Sequence, residues 1–222
     1  DAAGGDTFHD GGEGGAAPKR GAWEALRING PDSVLQNFEL RYAGNFSFPG
    51  AGGGNLLPAI ILTNSNALLH NVRVREVDNH GIRILGGAPE LATVDVQGAT
   101  GVPFYLTLDA NPMLRNLTGS GNGAEGLWID SGTLQQDRVW DITSMPYLLT
   151  DADFTVASGT TLTVKAGVVV KLAQGQPFNV DGTLKAQGTA DAPVLCAPAR
   201  ASSTSPASTP TTAPTSTRCS TT

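Results

Sequence analysis

Between Asn66 and Ile129 one short phrase returns at intervals of roughly 23 residues. Each copy has two apolar residues, a polar bend, an apolar–polar–apolar run and a turn carrying glycine. Leu68, Leu91 and Leu114 fall at matching places in successive copies, and Leu62, Ile84, Leu106 and Ile129 do so within a residue or two. A unit this short has no room to bury an apolar face of its own, so the copies must stack and share one continuous core. The patterned runs, broken by Asn or Gly, are too short for helices, and no stretch before Val170 carries a sustained helical stripe of apolar residues. Asn and Gly at the bends adopt the left-handed backbone conformation at small steric cost. The pattern predicts an all-β fold: a right-handed single-stranded parallel β-helix with coils of roughly 20–25 residues.

Composition agrees with many short strands and turns. Of 222 residues, 28 are Gly and only 15% are charged, which suits β structure in one large domain. Residues 1–22 are acidic and Gly-rich without apolar periodicity and read as a loop. Residues 23–195 read as the β-helix. It opens at Trp23, and Leu26, Ile28, Val34, Leu35, Phe38 and Leu40 then alternate with polar residues. Gly44 to Leu57 interrupts this pattern and reads as an insertion looping out of one coil. Residues 151–195 repeat the logic with a different phrase, its strands dominated by β-branched residues and its corners marked by Gly.

That second phrase, GTTLTVKAGVVVKL…FNVDGTLKAQGTADAPV from Gly159 to Val194, resembles a segment common in bacterial secreted and surface proteins built from right-handed parallel β-helix repeats. In that family a Gly-Thr-Leu strand and a Gly-Thr-Ala turn lead into an apolar strand, as at Gly182-Thr183-Leu184 and Gly188-Thr189-Ala190. An acidic Gly-rich loop often follows there, then a Trp-containing strand and a strand like Ser33 to Gly44. The resemblance covers about residues 1–195 and implies the β-helix architecture and an extracellular or cell-surface location. It implies no one activity, because members of the family carry unlike functions. Ala166 stands where the family usually has Pro, which leaves the expected fold unchanged.

From Cys196 to Thr222 the composition shifts abruptly to Ser, Thr, Pro and Ala. One reading is a disordered linker. The preferred one is a frameshift product, since all four residues use codons with C in the second position. Thr204 to Ala213, read two bases on, becomes a stretch close to Asp1–Gly11, the kind of loop expected at that place.

The net charge of −6 and a pI near 4.9 exclude a basic stripe for neutralising phosphates, so no nucleic-acid partner is expected. The chain starts at Asp1 and carries methionine only at Met113 and Met145, which reads as a mature form or a fragment. It contains no signal peptide and no apolar run long enough to span a bilayer. Cys196 and Cys219 both lie in the tail, so the body is expected to be free of disulfides and thiol metal sites.

Five groups of residues could carry chemistry. Asp78-Asn79-His80-Gly81-Ile82-Arg83-Ile84 brings together a His-Gly and an Arg-Ile, elements that pectin-degrading β-helix hydrolases hold near their carboxylates. Those enzymes place them on successive coils beside clustered aspartates; here they are adjacent, and an ordinary bend before an inward Ile is the plainer reading. Asp109 and Asp130, each just after a strand, could stack as an acid with its partner or as a cation site; solvated bend residues are the plainer reading. The same holds for Asp95, Asp137 and Asp141. Asp6, Asp10 and Glu13 resemble the start of an oxygen-ligand calcium loop, but Phe8 stands where an oxygen donor belongs, so no cofactor is expected unless Glu13 compensates and Ca²⁺ binds. Trp23, Tyr42, Tyr105, Trp128 and Trp140 could form a sugar-stacking platform if they face outward. The expected function is a non-catalytic rigid stalk or adhesion-like binding segment of an exported bacterial protein. Its expected partners are a surface polysaccharide or further β-helix coils. A polysaccharide lyase or glycoside hydrolase is the alternative.

Overall fold

The computed structural model describes residues 19–44, 57–149 and 152–199. Among them the regular elements are all strands, and each strand pairs in parallel with one from a neighbouring coil rather than with its neighbour along the chain. Eight strands make the longest sheet, stacked in chain order: β1 (Leu26–Ile28), β3 (Ile60–Thr63), β5 (Ile82–Leu85), β7 (Phe104–Leu106), β9 (Leu127–Ile129), β12 (Tyr147–Leu149), β15 (Val169–Leu172) and β18 (Leu195–Pro198). The second sheet holds four longer strands, β2 (Val34–Arg41), β4 (Leu68–Arg75), β6 (Glu90–Gln97) and β8 (Met113–Ser120). Beyond β8 the coil changes shape. Two three-stranded sheets take over: β10 (Gly132–Leu134), β13 (Phe154–Val156) and β16 (Phe178–Val180), then β11 (Arg138–Trp140), β14 (Thr161–Val164) and β17 (Thr183–Ala186). This is a parallel β-helix.

The inward ladders are what the repeat encodes. Leu62, Ile84, Leu106 and Ile129 stand in register and are buried, as the sequence predicts. Ile60, Ile82, Phe104 and Leu127 form a second buried ladder on the same sheet. A single apolar cluster runs from Ile28 to Val194 through the stack.

On the second sheet the expected ladder is corrected by one residue. Leu69, not Leu68, aligns with Leu91 and Leu114; Leu69 is fully buried, while Leu68 is 37% exposed beside Glu90. The cause is an uneven coil length. Leu69 and Leu91 are 22 residues apart and Leu91 and Leu114 are 23, so a uniform step of 23 lands one residue early. With a side-chain period of two, that slip exchanges the faces. The additional residue sits in the turn between Leu106 and Met113.

Each strand of the second sheet is bent at its middle. Asn37, Asn71, Thr93 and Asn116 occupy the bend with φ of +52°, +52°, +59° and +51°. Asn71 Nδ2 donates to Asn37 Oδ1 across the coil at 2.6 Å. The insertion reads as expected in the register: Leu26 pairs with Ile60, 34 residues on, whereas Ile60 pairs with Ile82 after 22. Residues 45–56 lie outside the described residues. Where the coil leaves toward them, Gly44 has φ +102° and a Cβ there would overlap the Asp78 carbonyl, so only glycine fits.

The coil also continues past its expected limit. Cys196, Ala197 and Pro198 pair with Val170, Lys171 and Leu172, three residues beyond the boundary that composition suggests. Cys196, the first residue of the expected tail, is disulfide-bonded. Among the described residues no helix is long and apolar enough to cross a membrane.

Candidate functional site

Stacking in register turns single outward residues into rows. On the longest sheet the outward row reads Arg27, Ile61, Arg83, Tyr105, Trp128, Leu148, Lys171. Its middle is chemically distinct. The Arg83 guanidinium carbon lies 4.6 Å from the Tyr105 ring centroid, a cation–π arrangement. Tyr105 and Trp128 lie 5.5 Å apart, and the His80 ring reaches both, at 5.3 and 5.7 Å. The Tyr105 hydroxyl donates to Asp130. Arg83, Tyr105 and Trp128 are all partly exposed.

His80 is fixed from behind. The Val102 N–H donates to its Nδ1 at 3.0 Å. At Gly81 a Cβ would come within 2.5 Å of Val96 Cγ1 and 2.6 Å of the Pro103 carbonyl, so the chain after His80 lies flat against the next coil. Burial, then the Arg83 charge, lowers the imidazole pKa to about 4, so the ring is neutral at physiological pH. The segment Asp78–Ile84 is thus both things at once: Ile82 and Ile84 point inward as an ordinary bend requires, while His80 and Arg83 point to one outer cluster.

The carboxylates divide. Asp130 belongs to the aromatic cluster. Asp109 does not join it: the Asp130 N–H bonds the Leu106 carbonyl, which puts Asp130 level with Thr107, and Asp109 lies two residues further along the turn. The Thr107 hydroxyl donates to Asp109. Asp137 accepts the Thr161 N–H at 2.7 Å, a loop-fixing role. Asp6, Asp10 and Glu13 lie outside the described residues. Among the described residues no group of three or more His, Cys, Asp and Glu could hold a metal ion.

The five aromatic residues also part; Tyr42 is half-buried just after β2, at φ +62°. Tyr105 and Trp128 meet on the outer row. Trp140 is core, stacked on Tyr147 at 4.8 Å. The Tyr147 hydroxyl accepts the N–H groups of Asp141 and Ile142 at 3.2 and 3.3 Å, and burial raises its pKa to about 12. Trp23 is 43% exposed and donates its indole N–H to the Arg41 carbonyl at 2.8 Å.

The second sheet presents an outer face that the sequence pattern did not single out. Glu39, Arg73, Asp95 and Thr118 form one outward row and Arg41, Arg75, Gln97 and Ser120 another. An open groove of about 440 Å³ is lined by Arg73, Asp95 and Thr118 of the first row and Gln97 and Ser120 of the second. Asp95 is the centre of its contacts: it pairs with Arg75 at 2.7 Å and accepts from the Thr118 hydroxyl at 2.7 Å and the Gln97 amide at 3.2 Å. The signal that would have found it is the register itself, since Arg73 and Asp95 become neighbours only when the coils stack.

No family model, curated protein or solved structure matches the chain.

Proposed function

We propose that the chain is a rigid, non-catalytic β-helical segment of an exported or surface-anchored bacterial protein, which holds the Arg83–Tyr105–Trp128 row in contact with a surface polysaccharide. The observation that carries this reading is the position of that row on successive rungs of an eight-stranded sheet over a continuous core. Side chains there are held at neighbouring-strand spacing, about 4.8 Å, and aromatic faces beside a guanidinium suit the apolar faces and hydroxyl rims of sugar rings. The non-catalytic part follows from the carboxylates. Asp109 and Asp130 have separate partners, and each is engaged by a hydroxyl. A general acid–base pair needs two such groups flanking one bond.

The test is affinity electrophoresis of the full chain through gels containing pectin, alginate or a glycosaminoglycan. Retardation by at least one of them, weakened about tenfold or more in Trp128→Ala, is the expected result. Migration unaffected by all three would remove the binding part of the reading.

A second reading, a polysaccharide lyase or hydrolase, has the groove beside Arg73 and Asp95 in its favour. It ranks lower because Asp95 is already paired with Arg75 and accepts from Thr118 and Gln97. Release of reducing ends or unsaturated sugars from these polymers, abolished by Asp95→Asn, would put the enzyme first.

A further inference from the structure

Where the four-stranded sheet ends, one core position carries a charge. Arg138 on β11 stands in the ladder with Leu162 and Leu184, and Trp140 continues the same inner face. Val139 between them points outward and is 53% exposed. Arg138 itself is 9% exposed. Its Nη2 donates to the Leu108 carbonyl at 2.8 Å, while its buried Nη1 has no hydrogen-bond partner. Among the described residues it forms no ion pair. Burial lowers its pKa and the exposed Asp109 carboxylate opposes that, yet an arginine stays charged at neutral pH. A buried cation with an unused donor is a standing cost to the fold unless something accepts from it.

Arg138 lines a cavity of about 40 Å³. The longer turn after Leu106 opens this space, since Leu108 and Asn111 both border it. Its remaining wall is mainly apolar, with Leu114, Leu134, Trp140 and Phe154 among the lining residues. One water needs about 10–15 Å³ by the same measure, so the space exceeds that of a single water, and Thr107 and Asn111 are the other polar residues of its lining.

We propose that this cavity binds a small carboxylate anion of about acetate size, the oxygens accepting from Arg138 and the apolar end lying against Leu134 and Phe154. The guanidinium fork fits a planar carboxylate. Phosphate or sulfate is a poorer fit, because a single buried cation would leave the second charge of the dianion uncompensated among apolar side chains. The site is independent of the outer rows and needs no polysaccharide.

The experiment uses the full chain and sodium acetate, with sodium chloride at equal ionic strength as the reference. Acetate at ten times its Kd raises the folded-to-unfolded ratio about 11-fold, a rise of roughly 3–6 °C in Tm for a chain of this size. Saturation transfer from protein to the acetate methyl protons reads the same binding directly, and propionate or formate should compete. Arg138→Met, which replaces a buried charge with an apolar chain, should fold and lose both signals. Leu134→Phe, which fills the space and keeps the arginine, should lose them as well. Saturation transfer absent from the wild-type chain at tens of millimolar acetate, formate and propionate would mean that the cavity holds water only, and the proposal fails. It fails equally if either folded variant keeps the wild-type signal, because binding is then elsewhere. Should Arg138→Met not fold, Leu134→Phe and the wild-type measurement still decide.

Discussion

Thr93 occupies a backbone conformation that its side chain disfavours. It sits at φ +59° in the bend row where the flanking coils have Asn71 and Asn116. A β-branched residue in the left-handed region is strained, whereas Asn tolerates it and can extend the amide row that Asn37 and Asn71 begin. Thr93→Asn should therefore stabilise the fold by about 1 kcal/mol, raising Tm by roughly 2–4 °C; thermal unfolding checks it, and a lower Tm would mean that the bend is not under strain. His80 gives a second prediction at this scale. The folded chain keeps the imidazole neutral down to about 4, while the unfolded chain takes up its proton near 6.5. Between these values the unfolded state binds more protons, so stability is full above 6.5 and falls as pH drops toward 4. Urea unfolding at a series of pH values should show this slope and should show it flattened in His80→Gln. Arg138 was the residue least legible in the sequence. Arg-Val-Trp alternates whichever way it faces, and hydrophobicity alone would turn the valine inward and the arginine out; only the register of β11 against β14 fixes the choice.

At the scale of elements, the sequence was informative where coil length is constant. The ladder Leu62, Ile84, Leu106 and Ile129 was legible because side-chain alternation and turn length agree across those coils. Leu68 was misplaced because one longer turn shifts the count, and a period of two converts that shift into a change of face. The two leucines test the register side by side. Leu69→Ala should cost about 2–5 kcal/mol as a buried cavity mutation, and Leu68→Ala about 1 kcal/mol or less. Equal losses in denaturant unfolding would contradict the pairing. The aromatic cluster was half legible: Tyr105 and Trp128 could be singled out as candidates for stacking, but their meeting with His80 and Arg83 depends on three coils in register. Asp109 and Asp130 illustrate the converse. Both follow a strand end, yet Asp109 follows two residues later than Asp130 does, and that difference separates them.

As a whole molecule the chain is quasi-one-dimensional, with each coil contacting chiefly its neighbours. That is why a local repeat sufficed to give the architecture, and why it left the function open. The rows on the outer faces are created by stacking and are invisible in any one coil. The apolar core thins in the last coil, where Val180, in register with fully buried Val156, is 37% exposed. The central claim is that these coils form a rigid stack presenting its residues at fixed rungs. Electron-spin distance measurements test it directly, with nitroxides attached through ketone side chains so that the cysteines stay untouched. Labels at positions 27 and 171, six rungs apart on one outward row, should be separated by about 29 Å; labels at 83 and 171, four rungs apart, by about 19 Å. The difference of about 10 Å is insensitive to the length of the label arms, and both distributions should be narrow. Broad distributions, or two mean distances that do not differ by two rungs, would contradict the stack and the binding row that depends on it.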